Sequence, residues 1–129
     1  MLPIFGRKER EKKENEAAKM TPLEQLCADD KETYEALLPV MILNPRKIEA
    51  SMKQAVDNAK KYEKEKDLAS ARMWYQFAGG LAIYEGNAKR VIEYFQSLER
   101  VTGQKFPILK NPEKAVAKAQ EYYKKYLPA

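Results

Sequence analysis

The chain has no histidine and one cysteine, Cys27, in 129 residues. Without histidine it lacks the commonest general base near neutral pH and the commonest neutral metal ligand. A single thiol cannot build a multi-thiolate zinc or iron–sulfur centre, nor close a disulfide within the chain. As a nucleophile Cys27 would need a base that the sequence does not supply; among helical apolar neighbours it reads as a buried core thiol. Glycine is scarce, at five residues, and the glycine–lysine spacing of a phosphate loop is missing. No apolar run approaches the roughly 18 residues of a membrane span. The opening MLPIF is followed at once by Gly6 and strong charge, whereas a secretory signal places positive charge before a longer apolar stretch. These absences lead us to expect a cytoplasmic, non-catalytic protein with no metal or cofactor and no small-molecule substrate.

What the chain does have is helix-forming composition: 44% hydrophobic and 33% charged residues, rich in Lys, Glu, Ala and Leu. Residues 7–19, RKEREKKENEAAK, carry six bases and four acids with no large apolar residue. We therefore separate a charged arm over residues 1–19 from a single helical domain over 20–129. Within the arm, Leu2, Ile4 and Phe5 form an apolar cluster set apart from the rest by that charge, and are candidate docking residues for a partner or a second copy. Residues 21–127 are expected to fold without them.

Helix boundaries are written by caps. Thr21-Pro22-Leu23-Glu24 joins a capping hydroxyl to a proline at the first helical position. Asp29 and Asp30 interrupt or restart the helix, and a short segment with Tyr34, Leu37 and Leu38 runs to Pro39. Val40-Met41-Ile42-Leu43 reads as a buried connector. Asn44-Pro45 is expected to open a long helix to about Lys66, with Ile48, Met52, Ala55, Val56, Ala59 and Tyr62 at helical period. Asp67 caps a helix to Glu85, and Gly86-Asn87 ends it and starts another that stops at Gly103. Phe106, Ile108 and Leu109 are expected to lie in a loop on the core. Asn111-Pro112 opens the last helix, with Ala115, Val116, Ala119, Tyr122, Tyr123 and Tyr126 as its apolar stripe. The expected fold is all-α, a compact bundle of antiparallel helices. Gly79-Gly80 inside a helix calls for close approach by another element or a bend.

One hairpin has a more specific pattern. Taking Met52 as the start of a 34-residue unit, small residues fall at Ala55 and Ala59 and an aromatic at Tyr62. Ala71, Tyr75 and Ala78 follow on the second helix. This resembles the tetratricopeptide repeat, in which small residues let two antiparallel helices approach and aromatics fill the space beside them. The resemblance covers about a quarter of the chain. It departs from the family at Ile83, where proline is usual, and at Gly79-Gly80.

Charge and aromatics supply the remaining candidates. Between residues 20 and 45 stand Glu24, Asp29, Asp30, Glu32 and Glu35 against Lys31 alone. These acids lack a calcium-loop pattern and are expected on a wet face. The stretch from Lys105 to Lys125 has six lysines and two acids, so Lys114, Lys118, Lys124 and Lys125 form a candidate basic rim for nucleic-acid phosphates. Interleaved glutamates and the absence of a recognition motif rank that below protein binding. An anionic membrane met through Met1–Phe5 and the following bases ranks lower still. The leading expectation is a helical protein–protein interaction module or homo-oligomeric scaffold, with exposed members of Tyr75, Tyr84, Tyr122 and Tyr126 at the contact surface.

Overall fold

A computed structural model of the chain describes residues 20–127. The charged arm, with Leu2, Ile4 and Phe5, lies outside the described residues. Within them the chain is all-α. Six helices follow in order: α1 (Pro22–Leu26), α2 (Lys31–Leu37), α3 (Met52–Lys64), α4 (Leu68–Tyr84), α5 (Ala88–Thr102) and α6 (Pro112–Tyr126). Two 3-10 turns, Pro45–Lys47 and Pro107–Lys110, interrupt the connections. No described helix is long and apolar enough to cross a membrane.

Caps set most of these boundaries by satisfying amide groups that lack an intrahelical partner. The Thr21 hydroxyl accepts from the Glu24 amide at 3.2 Å, and Asp30 accepts from both the amide and the hydroxyl of Thr33, at 3.2 and 2.7 Å. Asp30 is thus a true cap, not merely an interruption. Asp67 and Asn87 cap α4 and α5 through the amides of Ser70 and Arg90. Gly86 and Gly103 take the left-handed conformation just past the ends of α4 and α5 (φ +74° and +70°).

The expectation at Asn44-Pro45 fails. The Asn44 side chain makes no capping bond, and the proline opens only the 3-10 turn. The long helix begins at Met52, where Ser51 and Gln54 form a reciprocal capping box. Two satisfied amides there outweigh a proline signal whose asparagine has nothing to cap. Asn111 likewise makes no side-chain cap, although α6 does start at Pro112.

Helix α4 is the centre of the bundle, packed against α3, α5 and α6. Its sequence is apolar nearly all round, as a helix with several neighbours must be. Gly79 and Gly80 allow two of the closest approaches: a Cβ on Gly79 would stand 2.7 Å from the Phe95 ring of α5, and one on Gly80 would fall on the Ile42 side chain. Helix α6 ties the α3–α5 layer to the N-terminal helices, since it packs against α1 and α2 as well. From α6, Gln120 donates to the carbonyls of Ile83 and Tyr84 (2.7 and 2.8 Å), closing the C-terminus of α4. The small residues of the α3–α4 hairpin, Ala55, Ala59, Ala71 and Ala78, are fully buried between neighbours. Ile108 on the second 3-10 turn is also fully buried, so that turn does lay an apolar side chain on the core.

Candidate interaction cleft

Helix α2 ends with adjacent leucines. Neighbouring residues on a helix point about 100° apart, so one face cannot bury both. Leu37 is fully buried, and Leu38, at the helix C-cap, is 57% exposed. Pro39 then forces a turn, after which Val40 and Met41 go into the core, Ile42 is half-buried, and Leu43 is 53% exposed. The expected buried connector is therefore buried only over its first half. Its second half runs along the surface because the chain must leave the core to reach the 3-10 turn at Pro45.

Leu38 and Leu43 rim a cleft of about 150 Å³ that Leu23, Pro22 and Thr21 of the α1 entry, Met41 and Tyr122 complete. Met20, just ahead of α1, is a further exposed apolar residue. Leu23 and Met41 belong to the core beneath, so the cleft is a place where the core reaches the surface. At its entry the Thr21 hydroxyl donates to the Glu24 carboxylate at 3.3 Å. Glu24 also stands near the Tyr34 hydroxyl, whose pKa is raised first by burial and then by that carboxylate.

The tyrosines proposed from sequence separate into two groups. Tyr75 is 2% exposed; its ring is core and its hydroxyl donates to Glu63 at 2.8 Å. It is not an exposed contact residue, because three helices meet over it. Tyr122 is also buried, at 7%, yet its edge forms the cleft wall. Tyr84 and Tyr126 are half-buried. A residue outside that set, Tyr123, joins the rest: Tyr84 meets it edge-on at 5.0 Å, it meets Tyr122 edge-on at 5.8 Å, and Tyr122 meets Tyr126 at 4.9 Å. The Tyr123 hydroxyl donates to the Ile42 carbonyl, and burial drives its pKa well above the usual phenol range. The aromatic ladder therefore props the connector that carries the outer wall of the cleft.

The basic rim is partly neutralised. Lys114 pairs with Asp30 at 3.0 Å and Lys118 with Glu121 at 3.4 Å, whereas Lys124 and Lys125 are exposed at the end of α6. The acidic segment and the basic helix that looked separate in sequence face each other. The hydrogen bond from Thr33 and then that from Lys114 hold the Asp30 carboxyl at about 2. Cys27 is buried, and burial raises its thiol pKa. Among the described residues no three acidic or thiol side chains are placed to hold a metal ion. A shallow pocket beside the Asp30–Lys114 pair, lined by Glu32, Pro107 and Lys110, is polar and far smaller than the cleft.

Sequence reasoning missed Leu23, Leu38, Met41 and Leu43 as a group. The usable signal was the pair Leu37-Leu38 directly before Pro39: two leucines at a helix end that cannot both turn inward. Comparison of the chain with family models, curated proteins and solved structures gives no match.

Proposed function

We propose that the protein is a non-catalytic helical interaction module that docks an apolar segment of a protein partner in the cleft between α1, the Leu38–Leu43 connector and Tyr122. The observation that carries this is Leu38 and Leu43, both more than half exposed, flanking an apolar cleft whose floor is continuous with the core. Contiguous exposed apolar surface on a small domain marks a contact site, while single exposed leucines do not. Clefts of this kind take one or two anchor side chains from a helix or an extended peptide, with polar groups at the rim fixing orientation. Thr21 stands at that rim, with its hydroxyl held by the Glu24 carboxylate.

Nucleic acid is the weaker reading, because two of the four lysines proposed for it are occupied by carboxylates. Capture from the native host, with and without nuclease, tests the two against each other. The wild-type chain, a Leu38→Ser/Leu43→Ser variant and a Lys124→Gln/Lys125→Gln variant serve as baits. Protein partners that survive nuclease, persist with the lysine variant and vanish with the leucine variant support the docking reading. Recovery of nucleic acid that disappears only with the lysine variant overturns it.

A further inference from the structure

We infer that the cleft accepts an acidic–apolar protein segment, one whose anchoring side chains are flanked by Asp or Glu that meet the bases at the Leu43–Tyr122 end. This rests on the reading of the cleft as a docking site and adds the chemistry of the partner.

Two stretches of chain leave the cleft side by side. The connector passes from Leu43 into the 3-10 turn Pro45–Lys47, and α6 runs on from Tyr122 to Tyr126. They are tied together twice. The Tyr123 hydroxyl donates to the Ile42 carbonyl, and Arg46 Nη2 donates to the Leu127 carbonyl at 2.8 Å. Lys47 of the turn and Lys124 and Lys125 of α6 are thereby gathered at one end of the cleft. Lys125 stands three residues past Tyr122, on the same side of α6 as the ring that walls the cleft. All three lysines are exposed, and none of them pairs with a carboxylate among the described residues. The next acid along the chain, Glu49, lies beyond the turn, in a separate polar depression beside Asp57.

Elsewhere around the cleft, charges largely cancel. On α6, Lys118 pairs with Glu121 and Lys114 with Asp30, while on α2 Lys31 pairs with Glu35. The Glu24 carboxylate of the α1 wall accepts from the Thr21 hydroxyl. Asp29 and Glu32 add their charge to that of Asp30 around Lys114. That lysine lies two helical turns, about 12 Å, before Tyr122. The unbalanced charge beside the cleft is therefore positive and sits at its Leu43–Tyr122 end.

Shape decides among the anionic partners such an end could attract. The apolar surface is a cleft floored by the core, so it receives side chains. A bilayer surface is met by apolar side chains that project into it, and nucleic-acid phosphates bring no apolar group to fill a cleft. A protein segment supplies both anchors and acids, and acids at one end fix the direction in which it lies. An exposed rim charge tunes affinity and salt dependence while the anchor contact stays in place. Loss of these lysines should therefore weaken docking without abolishing it.

The test selects a random displayed peptide library on three full-length baits: wild type, Leu38→Ser/Leu43→Ser, and Lys47→Glu/Lys125→Glu. All four side chains are exposed, and helical circular dichroism checks that each bait is folded. Peptides taken by the wild type and rejected by the leucine variant should combine large apolar residues with more Asp and Glu than Lys and Arg. The charge-reversed bait should select basic flanks instead. Individual wild-type binders should lose about 3–10-fold in affinity on the charge-reversed bait, and the gap should close between about 0.05 M and about 0.5 M salt. Leucine-dependent peptides with no excess of acids, or the same peptides on both folded baits, overturn the inference and leave the docking reading standing. An absence of leucine-dependent peptides overturns both. Co-sedimentation with phosphatidylcholine–phosphatidylserine vesicles that requires Leu38 and Leu43 overturns the inference in favour of a membrane. A dimer in analytical ultracentrifugation that Leu38→Ser/Leu43→Ser dissolves overturns it in favour of a second copy.

Discussion

The carboxylate of Glu63, at the end of α3, accepts from Arg100 of α5 through both Nε (3.1 Å) and Nη2 (2.9 and 3.0 Å), across 37 residues of sequence. It also accepts from the Tyr75 hydroxyl of α4 at 2.8 Å. One carboxylate therefore joins three successive helices at the edge of the core. Tyr75→Phe keeps the buried ring and removes only the hydroxyl contact, so it should cost about 1 kcal/mol. Arg100→Lys loses the fork geometry, but Arg100 is largely exposed, and its effect should stay under about 1 kcal/mol. Urea unfolding with an unchanged m-value measures both. A neutral Tyr75→Phe would show that the hydroxyl contributes nothing to this junction.

Acid should destabilise the protein through Asp30 and Glu63. The Asp30 carboxyl is held at about 2 in the folded chain, first by the Thr33 hydroxyl and then by Lys114. Glu63 is lowered first by its hydrogen bonds from Arg100. Unfolded carboxylates titrate near ~4. Since both folded values lie below the unfolded ones, their stabilisation is complete above pH ~4 and is lost as pH falls through the folded values. For Asp30 that window runs from about 4 down to about 2. Stability followed from pH 6 to pH 2 should fall less steeply in Asp30→Asn and in Glu63→Gln than in the wild type. Identical slopes would show that neither group is coupled to folding.

Gly79 and Gly80 are adjacent in sequence but should respond differently to alanine. Alanine gains about 1 kcal/mol of helix propensity at either position. At Gly79 the new methyl meets the Phe95 ring at 2.7 Å, and Phe95 is fully buried with no room to turn. Overpacking of that kind costs about 1–3 kcal/mol, so Gly79→Ala should lower the thermal midpoint. At Gly80 the obstacle is the half-buried Ile42 side chain on the connector, which can swing outward. Gly80→Ala should be closer to neutral while shifting the NMR signals of Ile42 and Leu43. A Phe95→Leu background should relieve the Gly79→Ala penalty; if it does not, the ring is not the obstacle.

The all-α fold was legible because caps and helical period are local. Thr21, Asp67, Asn87 and Gly103 each act within one turn of where they stand, and each does what its type suggests. Asn44 failed for the same reason in reverse: a local proline signal competed with the Ser51–Gln54 box a few residues on, and only the geometry of the pair decides between them. The site was less legible because exposure is a tertiary property. Tyr75 and Tyr84 look alike in sequence, yet Tyr75 lies where α3, α4 and α5 converge and Tyr84 reaches the partly open end of α4. Likewise nothing local shows that Lys114 will find Asp30 some eighty residues before it.

The cleft itself should separate binding from folding. Leu38 and Leu43 are each more than half exposed, so removing their apolar surface takes little from the folded state. Serine at both positions should change stability by no more than about 0.5 kcal/mol. Tyr122 and Met41 line the same cleft from the core side and are nearly fully buried. Met41→Ala should cost about 2–5 kcal/mol, and Tyr122→Ala about 3–5 kcal/mol by the usual scale for large aromatic truncations. Tyr122→Ala should also loosen the Tyr123 and Tyr126 rings that pack on it. Thermal unfolding of the three variants, paired with partner capture, checks the division. The expected pattern is loss of capture with full stability for the double leucine variant, and loss of both for the core-side pair. A large destabilisation by Leu38→Ser/Leu43→Ser would mean that the two leucines serve the fold, and the outer wall of the cleft would then be core surface left uncovered, not a docking edge.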